Sequence, residues 1–378
     1  MSGIYLHIPF CKQACHYCDF HFSTSMSLKS RLVDALVAEM DLRADYLEPG
    51  TTIETIYFGG GTPSLLTSSE LDQLLTAITN RFSVAASAEI TLEANPDDLT
   101  PAKVRELAAS PVNRLSIGLQ SFHEPHLRFM NRAHSAQESG EAIRRVQDAG
   151  FENISVDLIY GVPAPDHGIW EADMAAVFAL QVPHLSCYAL TIEPDTVFGR
   201  QLRKGKFLAP PDEFVARQFE LLLAEMAHHG YEQYEISNFC RPGRESRHNS
   251  AYWAGVPYLG LGPSAHSFNG PSRHATLANN PRYVTAVLEE ATVPATVEVL
   301  STLDQANEYL MTSLRTARGC DLGHLREQLG INLAAAHAPY LDQLQSTGLA
   351  TLEAGWLRLT DTGKLLADHI TLALFQEA

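Results

Sequence analysis

Ile4-Tyr-Leu-His-Ile-Pro-Phe-Cys-Lys-Gln-Ala-Cys-His-Tyr-Cys18 sets a short β-rich run directly before three cysteines, Cys11, Cys15 and Cys18. The next cysteine in the chain is Cys187. A structural zinc site usually closes with four ligands, and a disulfide framework needs paired cysteines in an oxidising compartment. Three thiolates on one short loop instead suit a 4Fe-4S cluster bound through three irons, with the fourth iron open to a small chelating molecule. Zinc closed by His16 or His21 is the alternative; a Cys15–Cys18 redox pair would leave Cys11 without a role.

Working outward from this loop, β-rich runs alternate with helical patterns. Strands are expected at Ile4–Ile8, Thr55–Phe58, Glu89–Glu93, Arg114–Leu119, Ile154–Ile159 and His184–Leu190. Leu28, Leu32, Leu36 and Met40 recur at helical spacing, as do Leu71, Leu74, Leu75 and Ile78, with Ser69 as the expected helix start. Crossovers of this length make right-handed βαβ units. Six in series predict a partial (β/α)6 barrel within an α/β class; an open doubly wound sheet is the alternative.

In such barrels the chemistry gathers at the C-terminal strand ends, where the polar oddities fall. Gly59-Gly60-Gly61-Thr62-Pro63 follows the second strand, Glu93 ends the third and Gln120 the fourth. Asp157 lies in the fifth, before Tyr160-Gly161. Missing glycine side chains allow close approach to a ligand, or serve only a tight turn. Carboxylates in apolar runs need partners, so Glu93 and Asp157 are candidate ligand contacts. Arg132 is either a surface arginine or a carboxylate clamp.

Composition narrows the class. The 378 residues are 45% hydrophobic, enough for a large core and a second, smaller one. Six cysteines, three of them clustered, fit a reducing cytosol, so a cytoplasmic protein is expected. The first residues lack the basic start and apolar run of a signal peptide, and no apolar stretch is long enough for a bilayer. A formal charge of −17 speaks against nucleic acid or anionic lipid as a direct partner.

Tyr5-Leu-His-Ile-Pro-Phe-Cys11, Gly59-Gly-Gly-Thr-Pro63, Gly118-Leu-Gln-Ser-Phe122 and Asp157-Leu-Ile-Tyr-Gly161 together resemble, in order and spacing, the radical S-adenosylmethionine (radical SAM) superfamily. They point to its branch around oxygen-independent coproporphyrinogen III oxidase. The resemblance covers almost the whole chain and implies that Cys11, Cys15 and Cys18 bind a 4Fe-4S cluster. It implies that S-adenosylmethionine is held by Tyr5, Gly60, Gly61, Thr62, Glu93, Gln120, Arg132 and Asp157. One-electron cleavage of that cofactor would yield a 5′-deoxyadenosyl radical under control of the protein.

Two departures separate the chain from the oxidase. Phe20 stands where the oxidase motif has a further cysteine, and ten residues precede Cys11. Both resemble the oxidase-like family of heme chaperones, as does His248-Asn249-Ser250-Ala251-Tyr252-Trp253. That resemblance implies heme binding and transfer to heme-accepting proteins such as respiratory enzymes; oxidative decarboxylation in porphyrin biosynthesis is the alternative, so whether the protein is an enzyme stays open. His248, Asn249, Tyr252 and Trp253 are the candidate heme residues, since an imidazole can ligate iron and flat aromatic rings suit a porphyrin. His266 is a rival ligand. Arg241, Arg244 and Arg247 are candidates for the heme propionates.

Three parts are expected: a radical SAM barrel over 1–240, an extension over 241–291, and a winged-helix-like α+β domain over 292–378. Its hairpin would be Leu349–Glu353 and Trp356–Leu359 about Ala354-Gly355. Sparse basic residues there suit protein docking better than DNA. A homodimer is a family expectation only. Cys187, Cys240 and Cys320 read as buried small hydrophobes.

Overall fold

The computed structural model describes residues 2–376; residue 1 and the end of the C-terminal range, 377–378, lie outside the described residues. Six parallel strands follow the expected runs: β1 (Ser2–Ile8), β2 (Thr52–Gly60), β3 (Ser83–Ala94), β4 (Arg114–Gln120), β5 (Ile154–Tyr160) and β6 (His184–Ala189). They lie side by side in chain order. A doubly wound sheet would reverse its strand order at a switch point, so the sequential order selects the barrel-type winding.

Two further sets extend the sheet. Beyond β6 come β7 (Glu232–Glu235) and β8 (Asn238–Cys240). Beyond β1 come β9 (Tyr258–Leu261), β10 (His266–Phe268), β11 (Ser272–Thr276) and β12 (Ala295–Val299). The last strand, placed by its sequence at the start of the C-terminal part, pairs antiparallel with β11 of this large sheet.

The strands alternate with period two. Ile4, Leu6, Ile8, Ile56, Phe58, Leu92, Leu115, Ile117, Val156, Leu158 and Leu185 face the crossover helices and share one core with Leu32, Leu36, Leu74, Ile78, Leu107 and Ile143. The intervening residues Tyr5, Tyr57, Thr91 and Arg114 sit in one register across four strands. Ser116, Ser155 and His184 continue one step further round. Parallel sheets usually bury two apolar faces; here the inner face is polar, and its groups bond to one another. Tyr57 donates to Glu93 at 2.8 Å, and Ser155 Oγ and His184 Nδ1 lie 2.7 Å apart.

The helix Lys29–Leu42 follows the first apolar stripe. The second, Ser68–Arg81, begins one residue before the expected Ser69, because Thr67 and Glu70 form a reciprocal capping box there. The C-terminal domain has its own core, with Leu310, Leu325, Leu341, Leu357 and Ile370 among its residues. Its antiparallel sheet comprises β13 (Cys320–Asp321), β14 (Ala350–Glu353) and β15 (Trp356–Leu359), in the order β13-β15-β14. The β14–β15 turn forms at Ala354 and Gly355, φ 50° and 83°, as the sequence signal expects. Cys187, Cys240 and Cys320 are buried free thiols. No described helix is long and apolar enough to cross a membrane.

The glycine turn after β2 is packed against the protein itself. A Cβ on Gly61 would lie 2.7 Å from the backbone N and O of Phe10, atoms that cannot swing away. Gly61→Ala should therefore lower stability by about 1–3 kcal/mol. Gly140→Ala, in the helix Ala136–Asp148 with only Arg144 at 4.0 Å, should raise it by about 0.5–1 kcal/mol. Thermal melting of the two variants with opposite shifts is the expected result.

Candidate cluster, cofactor and heme sites

The cysteine loop leaves β1 at its C-terminal end and is held against the segment after β4. His16 N–H donates to Met130 O at 3.0 Å, Asn131 Nδ2 to Ala14 O at 2.7 Å, and Gln13 Nε2 to Asn131 O at 3.0 Å. Lys12 bridges Asp97 and Asp98 on the far side. Cys11, Cys15 and Cys18 are partly exposed and unpaired. Thr62 Oγ1 donates to Cys11 Sγ at 3.5 Å and Arg132 Nη1 to Cys15 Sγ at 3.3 Å. Burial pushes the Cys18 thiol up to about 11 and raises that of Cys11, so a bound cation is what would turn these two into thiolates. Soft sulfur donors with N–H and O–H groups aimed at them fit an iron–sulfur cluster. Each of the two candidate fourth ligands for zinc bonds protein through one ring nitrogen, His16 Nδ1 with Phe129 O at 3.0 Å and His21 Nε2 with Asn280 Oδ1 at 2.7 Å.

Of the eight expected cofactor residues, seven fall in three groups on the inner face and at the C-terminal ends of the strands, and Gly61 packs against Phe10. Tyr5, Gly60 and Glu93 line a cleft of about 510 Å³ that also touches Phe20, Tyr252, Tyr258 and His266. Gly60 has φ +107°, and any Cβ there would strike the His7 ring at 2.6 Å; its N–H donates to Glu93 Oε2 at 3.2 Å. Thr62 and Arg132 belong to the cluster loop, tied through Asn95, which donates to Thr62 Oγ1 at 3.1 Å and accepts from Arg132 at 2.6 Å. Arg132 also donates to Gly118 O, and its buried Nε has no partner, an open donor for a carboxylate. Gln120 and Asp157 form the third group. Gln120 has φ +69° at an irregularity in β4. Its amide folds back so that a Cβ on Gly118 would meet it at 2.9 Å. Gly61 supports the turn from beneath, as described above.

Burial dominates the electrostatics of this rim. It pushes Glu93 up to about 7, opposed by the Tyr57 hydrogen bond and reinforced by Asp157. It pushes Asp157 up to about 6, opposed by Ser186. Two acids poised near neutrality are suited to accept hydroxyl donors. Tyr57 and Asn95, which orient Glu93 and Arg132, carry no motif; the inward alternation of β2 is the signal that would have found Tyr57.

The helix Arg247–Trp253 begins at the Ser246 cap, and Glu89 accepts the backbone N–H groups of Arg247 and His248. His248 is 2% exposed and fills the inner face beside Gly3. Nδ1 lies 2.7 Å from Thr55 Oγ1 and Nε2 2.9 Å from Tyr252 OH, with the ring stacked on Tyr57. Burial drives its pKa down to about 3. With both nitrogens engaged, His248 is a neutral core residue in this conformation, set apart from the iron-ligand role expected of it. Asn249, Tyr252 and Trp253 instead line a second cleft, about 740 Å³, between the barrel and the C-terminal domain. Tyr252 and Tyr258, with ring centroids 4.4 Å apart, line both clefts.

The three upstream arginines are not among the residues of that cleft. Arg241 donates to His229 O, Arg244 lies 3.7 Å from Glu152, and Arg247 pairs with Glu54 at 2.8 Å. Arg273 and Arg315, from β11 and from the C-terminal domain, line it instead. No local pattern in the sequence singles them out.

Residues 5–173 match the radical SAM superfamily, and residues 300–366 match the HemN C-terminal domain. The chain is 35% identical, over an alignment of 382 positions spanning all of both chains, to the heme chaperone HemW of Bacillus subtilis (strain 168). It is 33% identical to the heme chaperone HemW of Escherichia coli (strain K12), covering 99% of this chain and 97% of that one. Its fold resembles that of coproporphyrinogen III oxidase (HemN) from Escherichia coli with a TM-score of 0.85 at 23% identity, over 99% of this chain and 90% of that one. Identity of this level along the full length, joined to the cysteine loop and the sequential parallel sheet, makes the chain a member of the HemW family of the radical SAM superfamily.

Proposed function

We propose that this protein binds heme and passes it to heme-accepting proteins, on a barrel that holds a 4Fe-4S cluster and S-adenosylmethionine. The observation that carries the reading is the segment His248–Trp253. Its helix fills the barrel's inner face with His248 and turns Trp253 into the large interdomain cleft, while Tyr252 reaches both that cleft and the one beside the cysteine loop. A cleft of about 740 Å³ is within the range of small-molecule sites, ~300–1,000 Å³. The names of the HemW relatives agree with the reading.

Cys11, Cys15 and Cys18 are the proposed iron ligands, steadied by Thr62 and Arg132. The cluster, when bound, supplies single electrons and one open iron for a chelating cofactor. Arg132 Nε is the donor free for the cofactor's carboxylate. Glu93 and Asp157 are the acceptors for ribose hydroxyls, with Tyr5 and the Gly60 backbone completing the wall. Phe20, 74% exposed beside the mouth cleft, occupies the position of the oxidase's additional cysteine and offers an apolar face rather than a thiol.

Anaerobic titration of the reconstituted protein with hemin should give stoichiometric binding, and incubation with coproporphyrinogen III should give no turnover. Protoporphyrinogen formation at enzymatic rates would replace this reading with the oxidase one.

Cys15→Ala should remove the cluster's visible absorption and leave the circular dichroism spectrum unchanged, since the side chain sits on a partly exposed loop. A retained four-iron spectrum would refute the ligand assignment.

Glu93 gives a pH dependence of defined sign. Its folded value of about 7 is above the ordinary 4.5, so the unfolded chain ionises first and stability falls as pH rises through that window. A ribose hydroxyl donating to Glu93 favours the carboxylate. Affinity for S-adenosylmethionine should accordingly rise by up to about tenfold between pH 6 and 8. Equilibrium binding with Glu93→Gln should show a shallower profile, keeping only the slope that Asp157 contributes.

A further inference from the structure

Trp253, Arg273 and Arg315 line the interdomain cleft, and each also carries a buried N–H (Nε1 of the indole, Nε of each guanidinium) with no hydrogen-bond partner. They come from the helix Arg247–Trp253, from β11, and from the segment after the helix Thr302–Ser313. Two guanidinium-bearing side chains and an indole at one cleft suit a flat ligand that carries carboxylates. Each guanidinium is already held in place by protein. Arg273 donates from Nη2 to Glu308 at 2.8 Å, and its Cζ lies 5.9 Å from the Phe268 ring centroid. Arg315 lies 3.7 Å from Glu235 and 3.6 Å from Asp368, with its Cζ 5.3 Å from the Trp253 ring centroid. Two acceptors of lining residues, Glu235 Oε2 and Asn238 Oδ1, make no hydrogen bond, Glu235 Oε2 facing Arg315 only at ion-pair distance. Glu235 is a buried acid whose pKa is raised by that burial, which weakens its competition for Arg315.

The remaining wall is aromatic, with Tyr188, Tyr258 and Tyr309 beside Trp253. His324 closes it from the C-terminal domain. It is exposed, its ring centroid is 4.5 Å from that of Tyr309, and neither of its ring nitrogens bonds to protein among the described residues. Its backbone N–H is fixed by the Asp321 cap, so the helix Leu322–Leu329 holds the imidazole at the cleft.

Resting on the heme reading above, we propose that the macrocycle is clamped between the two domains, with His324 as the protein ligand to its iron and Arg273 and Arg315 on its carboxylates. Ligation uses the lone pair of a neutral imidazole nitrogen and transfers no electron. The iron ligand thus comes from the C-terminal domain, and the porphyrin wall comes from both. Opening the cleft would separate the iron ligand from the Tyr252–Trp253 wall, which is a route to release.

The test titrates hemin, metal-free protoporphyrin IX and the dimethyl ester of hemin into the full-length protein, reading the Soret band. Wild type should bind hemin and protoporphyrin, with the ester weaker by about tenfold or more for its lost charge-assisted bonds. His324→Ala should shift the hemin Soret band and weaken hemin while leaving protoporphyrin unchanged; His266→Ala should do neither. Arg273→Gln should weaken both acids and leave the ester alone. An unaltered hemin spectrum in His324→Ala overturns the ligand assignment, as does a shift found only in His266→Ala. Equal affinity of wild type for hemin and its ester overturns the carboxylate assignment without recourse to a variant. Failure of wild type to bind any of the three removes the heme reading itself.

Discussion

The inner face of the six parallel strands is polar, and the site depends on that constraint. A carboxylate or guanidinium inside a barrel is tolerated only with partners. The strand register supplies them, bringing Tyr57 to Glu93, Ser116 to Asp157 and Ser155 to His184. The opposite face of the same strands carries the apolar residues that fix the crossover helices. A one-residue slip would exchange the two faces, so the core that stabilises the sheet also sets which side chains reach the mouth.

The cysteine loop is a consequence of that sheet rather than an independent motif. It is stitched to Met130, Asn131 and Arg132 after β4, and Arg132 is in turn stitched to Asn95 after β3 and to Gly118 within β4. Arg132 therefore ties Cys15 Sγ to the segment after β3 and to β4. The C-terminal domain is joined through the β7–β8 hairpin, where Ile236 N–H donates to Arg315 O and Ala317 N–H to Tyr234 O, both at 3.0 Å. That junction positions Arg315 over Trp253 and gives the interdomain cleft its second wall.

Much of this was legible beforehand. Short β-rich runs between helical patterns located all six strands, and helical stripes located the first two crossovers, because local pattern and tertiary burial agree there. The start of the second helix moved from Ser69 to Ser68 because a reciprocal cap between Thr67 and Glu70 outweighs a lone serine. β12 was missed because its residues are exposed along most of an edge strand and show no burial pattern. Among the candidate heme residues, His248 was, with His266 as rival, a candidate iron ligand from its motif. Its surroundings at Thr55, Tyr57 and Tyr252 come from other parts of the chain.

By itself, then, the sequence determined the six strand–helix units, the three-cysteine loop and the family, since each is written in spacing or in short contiguous motifs, while the strand order that selects the barrel winding came from the fold. Only the tertiary structure decided which arginines and which histidine face the large cleft. Arg241, Arg244 and Arg247 sit beside the motif in sequence but bond elsewhere, whereas Arg273, Arg315 and His324 reach the cleft from later segments. The physical reason is that a pocket between two domains is built from non-local contacts. Neither the orphaned N–H groups nor the buried ring of His248 has any signature until the chain is folded.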